Sequence, residues 1–326
     1  MSLRAEYKDY YRDKKVLVAG GAGFIGSNIS EELVRRGVKV GVIDGFVEHT
    51  GANRENIKSI LNEIELYDSR IEGIASLREI VENFEFIIDC MAMTSHHFSA
   101  KRPLFDTEVN LLSHIHLIEA LKGTKDKKVI YLGSRGQYGR HASVITEETP
   151  QNPLDPQGIN KAAAESFFRI YSKKYNFRFL GLRITNCFGE RQKKTGDDIG
   201  VVGSFIRDLL QGATVEIYGD AARKKNIVYV KDLVGIILDL MRPDFERDEA
   251  YNIAGITITL KNLLDRLIGI IGKGGYKIMP FPEEVRHIDV GEAVFSGEKI
   301  KRRLKDMHSI NLEMSLTNTV NYFRVN

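Results

Sequence analysis

A chain of 326 residues with 43% hydrophobic content is long enough to bury a large core, in one sizeable domain or two closely joined ones. Its 47 basic and 44 acidic residues are interspersed and leave a formal net charge of +3, which argues against a nucleic-acid partner and suits a small anionic ligand. Cys90 and Cys187 stand alone, so neither a disulfide framework nor a metal site is expected, the reducing cytoplasm is the expected setting, and no apolar run reaches the roughly 18 residues of a membrane span.

Met1 to Lys15 is polar and charged, and reads as a short tail without the apolar core of a signal peptide. Lys15–Ala19 is a short apolar run, followed by a glycine cluster, a helical pattern from Gly26 to Arg36 and a second apolar run ending at Asp44. That order is strand, loop, helix, strand. The alternation continues with strands expected at Phe86–Cys90, Val129–Leu132 and Phe179–Ile184, separated by helices at Leu77–Glu82, Glu108–Lys122 and Asn160–Lys174. Strands that alternate with helices predict an α/β fold, a Rossmann-type doubly wound parallel sheet covered on both faces. After Arg183 the rhythm changes to a charged loop (Gly189–Gly200), a helix around Ser204–Gln211 and a strand at Thr214–Tyr218, where a smaller C-terminal lid domain is expected to begin. Ile227–Val230 and a helix through Met241 then read as a return to the first domain, before a helix-rich end. The expected division is 12–184 plus about 221–250 for the first domain, and 185–220 plus 251–326 for the second.

The segment Gly20-Gly21-Ala22-Gly23-Phe24-Ile25-Gly26 ends a strand and opens a helix. Gly20, Gly23 and Gly26 permit a tight turn and close backbone approach, and the helix N-terminus, with Phe24 and Ile25 in its first turn, faces a pyrophosphate. Asp44 follows at the spacing of about 20 residues expected for a carboxylate that accepts both ribose hydroxyls, and it would repel a 2′-phosphate. NAD is therefore expected as cofactor rather than NADP, although Arg54 lies just downstream.

Further ordered motifs follow: Met91-Ala92 after the fourth strand, Asn110 in a helix, Ser134 ahead of Tyr138-Gly139, Lys161 followed by Glu165, then Arg183, Asn186 and Gly189. Tyr218-Gly219-Asp220, Tyr229-Val230-Lys231-Asp232, Tyr251-Asn252-Ile253, and Arg286 with Asp289 complete the set. In this array the chain resembles the extended short-chain dehydrogenase/reductases that include the NAD-dependent nucleotide-sugar epimerases and dehydratases, over nearly its whole length. The resemblance implies NAD contacts from the glycine loop, Asp44, Ala92, Asn110 and Lys161. It also implies a nucleoside-diphosphate sugar bound by the lid with Asn186 and Arg286 among its contacts, and a homodimer formed through helices at Asp106–Leu121 and Asn160–Tyr175.

The pattern breaks at the catalytic position. Oxidising a sugar hydroxyl needs a base for its proton, and the family uses a tyrosine with a lysine one helical turn onward. Here Asp155-Pro156-Gln157-Gly158-Ile159-Asn160-Lys161 sets Gln157 in that place, and a neutral amide does not titrate. Lys161 and Ser134 remain, implied to hold the nicotinamide ribose and the reacting oxygen. Three explanations stand side by side. Another group has taken the proton, with Lys161, Tyr138, His96 and His97 as candidates; or the chain binds NAD and a sugar nucleotide without efficient turnover; or Gln157 is an engineered, ligand-trapping substitution. The loop Thr94–Ser99 carries both histidines at the carboxyl end of a strand, where α/β sheets place ligands, so His96 is a candidate substrate contact.

Where 4,6-dehydratases of the family carry Asp-Glu after the serine or threonine, this chain has Arg135-Gly136. Dehydration is therefore disfavoured, as is decarboxylation, leaving epimerisation or oxidation and reduction through a keto-sugar. Arg135 would set a charge beside the sugar and favour an anionic one. In the lid, Lys225-Asn226-Ile227 stands for the family's Arg-Asp-Phe, so Lys225 would meet the diphosphate as a point charge. The two cysteines are expected to be buried fillers.

Overall fold

The computed structural model describes residues 10–325 except 142, 195–198, 243, 282–290 and 306–308. Twelve strands are present among them: β1 Lys15–Ala19, β2 Lys39–Asp44, β3 Ile64–Asp68, β4 Phe86–Asp89, β5 Lys128–Ser134, β6 Arg178–Ile184, β7 Asn186–Phe188, β8 Thr214–Tyr218, β9 Lys224–Tyr229, β10 Glu249–Ile253, β11 Ile256–Thr259 and β12 Gly275–Met279. The helices are α1 Phe24–Arg35, α2 Leu77–Glu82, α3 His96–Lys101, α4 Pro103–Thr107, α5 Ser113–Ala120, α6 Pro156–Tyr175, α7 Val201–Leu210, α8 Val230–Leu240, α9 Leu260–Ile271, α10 Glu298–Leu304 and α11 Leu312–Val325.

Seven strands form one sheet in the order β10-β6-β5-β4-β1-β2-β3, every pair parallel. Its strands other than the half-exposed edge strand β3 are apolar on both faces because both faces are covered. Val16 and Val18 of β1 pack with Ile29 and Leu33 of α1 and with the apolar stripe of α8. Leu17 points the other way, into a second layer with α2, Leu117 and Ile118 of α5 and Phe168 of α6. The period of two along each strand thus feeds two separate cores. The strand order reverses at β1, which lies between β2 and β4, and the crevice beyond the carboxyl ends of these strands is where such sheets bind ligands.

A second core joins α7, α9 and α11 to the three-stranded sheet β11-β9-β7 and the parallel pair β8 and β12. Three features differ from the sequence reading here. β9, expected to return to the main sheet, pairs with β7 and β11 instead, and only α8 after it packs on the main sheet. The boundary expected near residue 250 falls inside β10, which runs parallel to β6 at the sheet edge. Ile300 and Leu304 of α10 belong to the first core, so the C-terminal segment is shared between both units rather than confined to the second. Strand pairing and burial of these short apolar runs depend on partners distant in sequence, which local pattern does not reveal. Among the described residues, no helix is long and apolar enough to cross a membrane.

Candidate active site

A cavity of about 640 Å³ opens at the carboxyl ends of β1, β2, β4, β5 and β6, and is walled on the far side by the second unit. At one end Gly20, Gly23, Phe24, Ile25 and Gly26 line it. Gly20 has φ +75°, and a Cβ at Gly26 would sit 2.1 Å from the Gly20 carbonyl oxygen, so the turn and α1 pack backbone to backbone. No side chain caps α1 and no acidic residue lies in its first turn, which leaves the N–H groups at that end for an anion. Asp44, at the end of β2, accepts Ala22 N–H through Oδ2 and Phe46 N–H through Oδ1, both at 2.9 Å. Burial pushes its carboxyl up, against the lowering effect of those two N–H groups. A glycine cradle at an uncapped helix end with a carboxylate on the next strand fits a dinucleotide lacking a 2′-phosphate. Arg54 is absent from the wall; it pairs with Asp68 and lies over the Phe46 ring.

Lys161 and Ala92 are also in the wall. Lys161 is buried, and its ammonium donates to Met91 O at 3.0 Å and Leu132 O at 3.2 Å. Burial lowers it to about 8, opposed by the nearby Asp89, Cys90 and Asp106. An ammonium has three N–H groups, so a third is left for a ligand. Asn110 was expected to touch the cofactor, but it is wholly buried away from the cavity wall. Its amide exchanges hydrogen bonds with Met93 N and O (3.0 and 2.8 Å) and donates to Asp106 at 2.7 Å, so it ties the loop after β4 to the π-helical turn Glu108–Leu112.

Ser134 ends β5 and caps a short 3-10 turn: its Oγ accepts Gly136 N–H at 3.0 Å, and Gln137 Oε1 accepts Ser134 N–H at 2.8 Å. The hydroxyl proton is therefore available to the cavity. Behind this turn runs a buried network. Gln137 donates to Glu165 (2.8 Å), Glu165 takes a two-pronged pair from Arg183 (3.0 and 2.6 Å), and Arg183 donates to Tyr138 Oη (2.6 Å), which donates to Asn252 (2.7 Å). Tyr138 is thus fully buried with its hydroxyl occupied, and burial raises its pKa. It is not placed to take a substrate proton. His97 is exposed and outside the cavity wall, which removes the second histidine too.

Gln157 lies in the first turn of α6, 2% exposed and in the cavity wall, and its Oε1 has no hydrogen-bond partner among the described residues. His96, the first residue of α3, is held by Ser95, whose Oγ accepts Phe98 N–H at 3.1 Å. Its Nδ1 lies 2.7 Å from Asp155 Oδ2, and Asp155 Oδ1 accepts Gly158 N–H at 2.9 Å as the N-cap of α6. Burial acts to raise the Asp155 carboxyl, but the His96 hydrogen bond, the His96 charge whenever the imidazole is protonated, Gly158 N–H and Arg135 hold it below the usual range. Asp155 carried no role in the sequence reading. Its signal there was only that of a cap before Pro156, because its second partner comes from 59 residues upstream.

Of the expected substrate contacts, His96, Arg135, Asn186 and Lys225 all line the cavity, while Arg286 lies outside the described residues. Asn186 donates to Asn226 O at 2.6 Å and Lys225 to Gly291 O at 3.3 Å. Gln192, Tyr218, Arg223 and Phe281 are also in the wall on the second unit, and no motif pointed to Gln192 or Phe281. Cys90 and Cys187, expected as buried fillers, are partly buried against the apolar cores and also reach the cavity wall, with their thiols pushed up by burial.

A family model described as the NAD dependent epimerase/dehydratase family matches residues 16–254. A putative UDP-glucose 4-epimerase of Methanocaldococcus jannaschii is 29% identical over 300 residues, covering 89% of this chain and 95% of that protein. The UDP-glucose 4-epimerase of Thermotoga maritima, solved with UDP-glucose, superposes with a TM-score of 0.84 at 29% identity, covering 95% of this chain and 98% of that one. The Thermus thermophilus UDP-glucose 4-epimerase, solved with NAD, has a TM-score of 0.83 at 27% identity, over 95% of this chain and 99% of that one.

Proposed function

The chain belongs to the NAD-dependent epimerase/dehydratase family, and on that premise we propose that it modifies a nucleoside-diphosphate sugar through a keto-sugar intermediate, as an epimerase or oxidoreductase. Bound NAD supplies the hydride acceptor and donor. The observation that carries the reading is the turn after β5. Ser134 presents a free hydroxyl proton to the cavity, while the next two positions, Arg135 and Gly136, offer no carboxylate to eliminate water.

Each residue then has a task. The Gly20–Gly26 loop and the start of α1 would hold the pyrophosphate, and Asp44 would accept the ribose hydroxyls of the adenosine half. The remaining N–H of Lys161 would hold the nicotinamide ribose, and its positive charge favours oxygen carrying partial negative charge nearby. Ser134 donates to the sugar oxygen that becomes a carbonyl. The orphaned Gln157 Oε1 accepts a sugar hydroxyl, since a buried acceptor left unpaired costs about 1–3 kcal/mol. Asn186, Arg223 and Lys225, all in the cavity wall, would face the nucleotide and diphosphate. The seven-stranded unit is thus the cofactor domain and the second unit the sugar-nucleotide domain.

A homodimer is part of the same reading. Leu104, Leu112, Ile159 and Ile170 are exposed on or next to α4, α5 and α6, at 82%, 45%, 53% and 63%, and a second copy would cover them. Sedimentation as a single chain would contradict this. The functional reading is tested by incubating the unmodified chain with NAD and a panel of UDP-, GDP-, CDP- and dTDP-sugars, with products followed by mass spectrometry and NMR. Turnover of one sugar class to its epimer or keto form is expected. Water loss to a 4-keto-6-deoxy product would overturn the assignment.

A further inference from the structure

We propose that His96, oriented by Asp155, is the group that takes the proton from the substrate hydroxyl and returns it. The inference rests on the keto-sugar reading and names the residue that serves its active site.

Three side chains from three separate elements converge on one spot, the bare α-carbon of Gly136. A Cβ built there would lie 3.0 Å from His96 Cε1, 3.1 Å from Gln157 Oε1 and 3.3 Å from Ser134 Oγ. The imidazole therefore stands beside the serine and the glutamine, and glycine at 136 leaves room for it. All three side chains line the cavity. Of the three, only imidazole both accepts and releases a proton readily near neutral pH.

The tautomer follows from the contacts. Asp155 is a buried carboxylate whose Oδ1 is committed to Gly158 N–H, and its Oδ2 meets His96 Nδ1 at 2.7 Å. An ionised carboxylate only accepts, so Nδ1 carries the proton and neutral His96 presents Nε2 as a bare acceptor. When Nε2 takes a second proton, the imidazolium charge is balanced by Asp155 at hydrogen-bond distance. That is the division of labour by which an aspartate fixes and supports a histidine base. The aspartate cannot drift, because it is also the N-cap of α6, the helix that carries Gln157 and Lys161. The other charged groups in the wall from elements packed around His96 are Arg135, after β5, and Lys161, on α6.

The step balances. The sugar O–H bond breaks and its proton goes to His96 Nε2. The C–H bond on the same carbon breaks with both electrons, which bound NAD would accept as hydride, and the carbon–oxygen double bond forms. Return of hydride to the carbonyl carbon, with the Nε2 proton going back to oxygen, regenerates an alcohol and neutral histidine with no further oxidant. Ser134 stays a hydrogen-bond donor to that oxygen throughout.

The test compares the unmodified chain with H96Q, D155N, H97Q and the double variant H96Q/Q157Y, on the sugar nucleotide that the unmodified chain turns over. Asparagine is itself a favoured helix cap, so D155N retains the fold while weakening the hold on His96. H96Q is expected to lose about 10²–10⁴-fold in kcat, with NAD binding by calorimetry unchanged. D155N is expected to lose about 100-fold or more. H97Q should match the unmodified chain, and H96Q/Q157Y should regain activity as the phenol takes the proton. A readout independent of turnover is long-range proton–nitrogen NMR of the imidazoles. The unmodified chain should show a hydrogen-bonded Nδ1–H resonance that disappears in H96Q and shifts in D155N. Full activity in H96Q, or an Nδ1 without a proton, would overturn the role of His96 while leaving the keto-sugar reading intact. Silence of the unmodified chain on every sugar, with activity switched on by Q157Y alone, would overturn both.

Discussion

Gly26→Ala is expected to abolish tight NAD binding. A methyl at this position lies 2.1 Å from Gly20 O and 2.9 Å from both Gly20 C and Gly21 Cα. All three are backbone atoms, so no rotamer change relieves the clash and α1 must move away from the turn. The movement displaces the helix N–H groups that would hold the pyrophosphate. A hydrogen bond to a charged group contributes about 1.5–3 kcal/mol, so losing one costs roughly ten- to a hundredfold in affinity and losing two correspondingly more. Strain in a tightly packed region adds about 1–3 kcal/mol of lost stability. Calorimetric titration with NAD measures the first effect and denaturant unfolding the second. Unaltered NAD affinity in Gly26→Ala would contradict the placement of the pyrophosphate.

Glu165→Ala is expected to produce the largest loss of stability. It strands Arg183, which is almost fully buried and whose guanidinium donates to Glu165 at 3.0 and 2.6 Å, its one carboxylate partner among the described residues. Burial acts to raise the Glu165 carboxyl, but the Arg183 hydrogen bonds and charge, with Gln137 and Arg169, hold it below its ordinary value. The ionised pair is therefore intact at neutral pH, and its contribution is lost as pH falls through the depressed Glu165 pKa. Removing one partner of such a pair costs about 3–5 kcal/mol, because the other charge stays buried. Activity should fall as well, since Gln137 loses the acceptor that fixes its amide and, through it, Ser134. The variant Glu165→Ala/Arg183→Met should recover most of the stability, as apolar replacement of both partners removes the uncompensated charge. Equal destabilisation in single and double variants would show that the cost arises elsewhere.

Much of the cofactor half is legible in the sequence because it depends on local features. The apolar runs of β1, β4, β5 and β6 are buried on both faces and flanked by helical patterns, and glycines fix the turn before α1. Asp44 is recognisable from spacing alone. Less legible are elements whose identity depends on distant partners. β3 is a half-exposed edge strand in which Glu65 separates Ile64 from Leu66, and local pattern did not pick out its residues. The apolar end of β9, Ile227–Tyr229, reads like a main-sheet strand but pairs with β7 and β11. Residue type also does not give side-chain direction. Asn110 has the right chemistry for a ligand contact, yet it turns inward to Met93 and Asp106. Asp155 looks like a helix cap and is one, but a cap leaves its second oxygen uncommitted, and only the folded chain brings His96 to it.

The central claim is that a sugar carbon is oxidised by loss of hydride, which in an epimerase returns to it within the same active site. The measurement that tests it most directly is product analysis after turnover of a nucleotide sugar carrying deuterium at the reacting carbon, in ordinary water. The account predicts that in an epimerised product the deuterium stays on that carbon with inverted configuration, and that the same reaction run in heavy water with unlabelled sugar brings no solvent deuterium to it. Loss of the label to water, or its appearance from solvent at that carbon, would mean that the carbon is deprotonated rather than oxidised, and would contradict the mechanism.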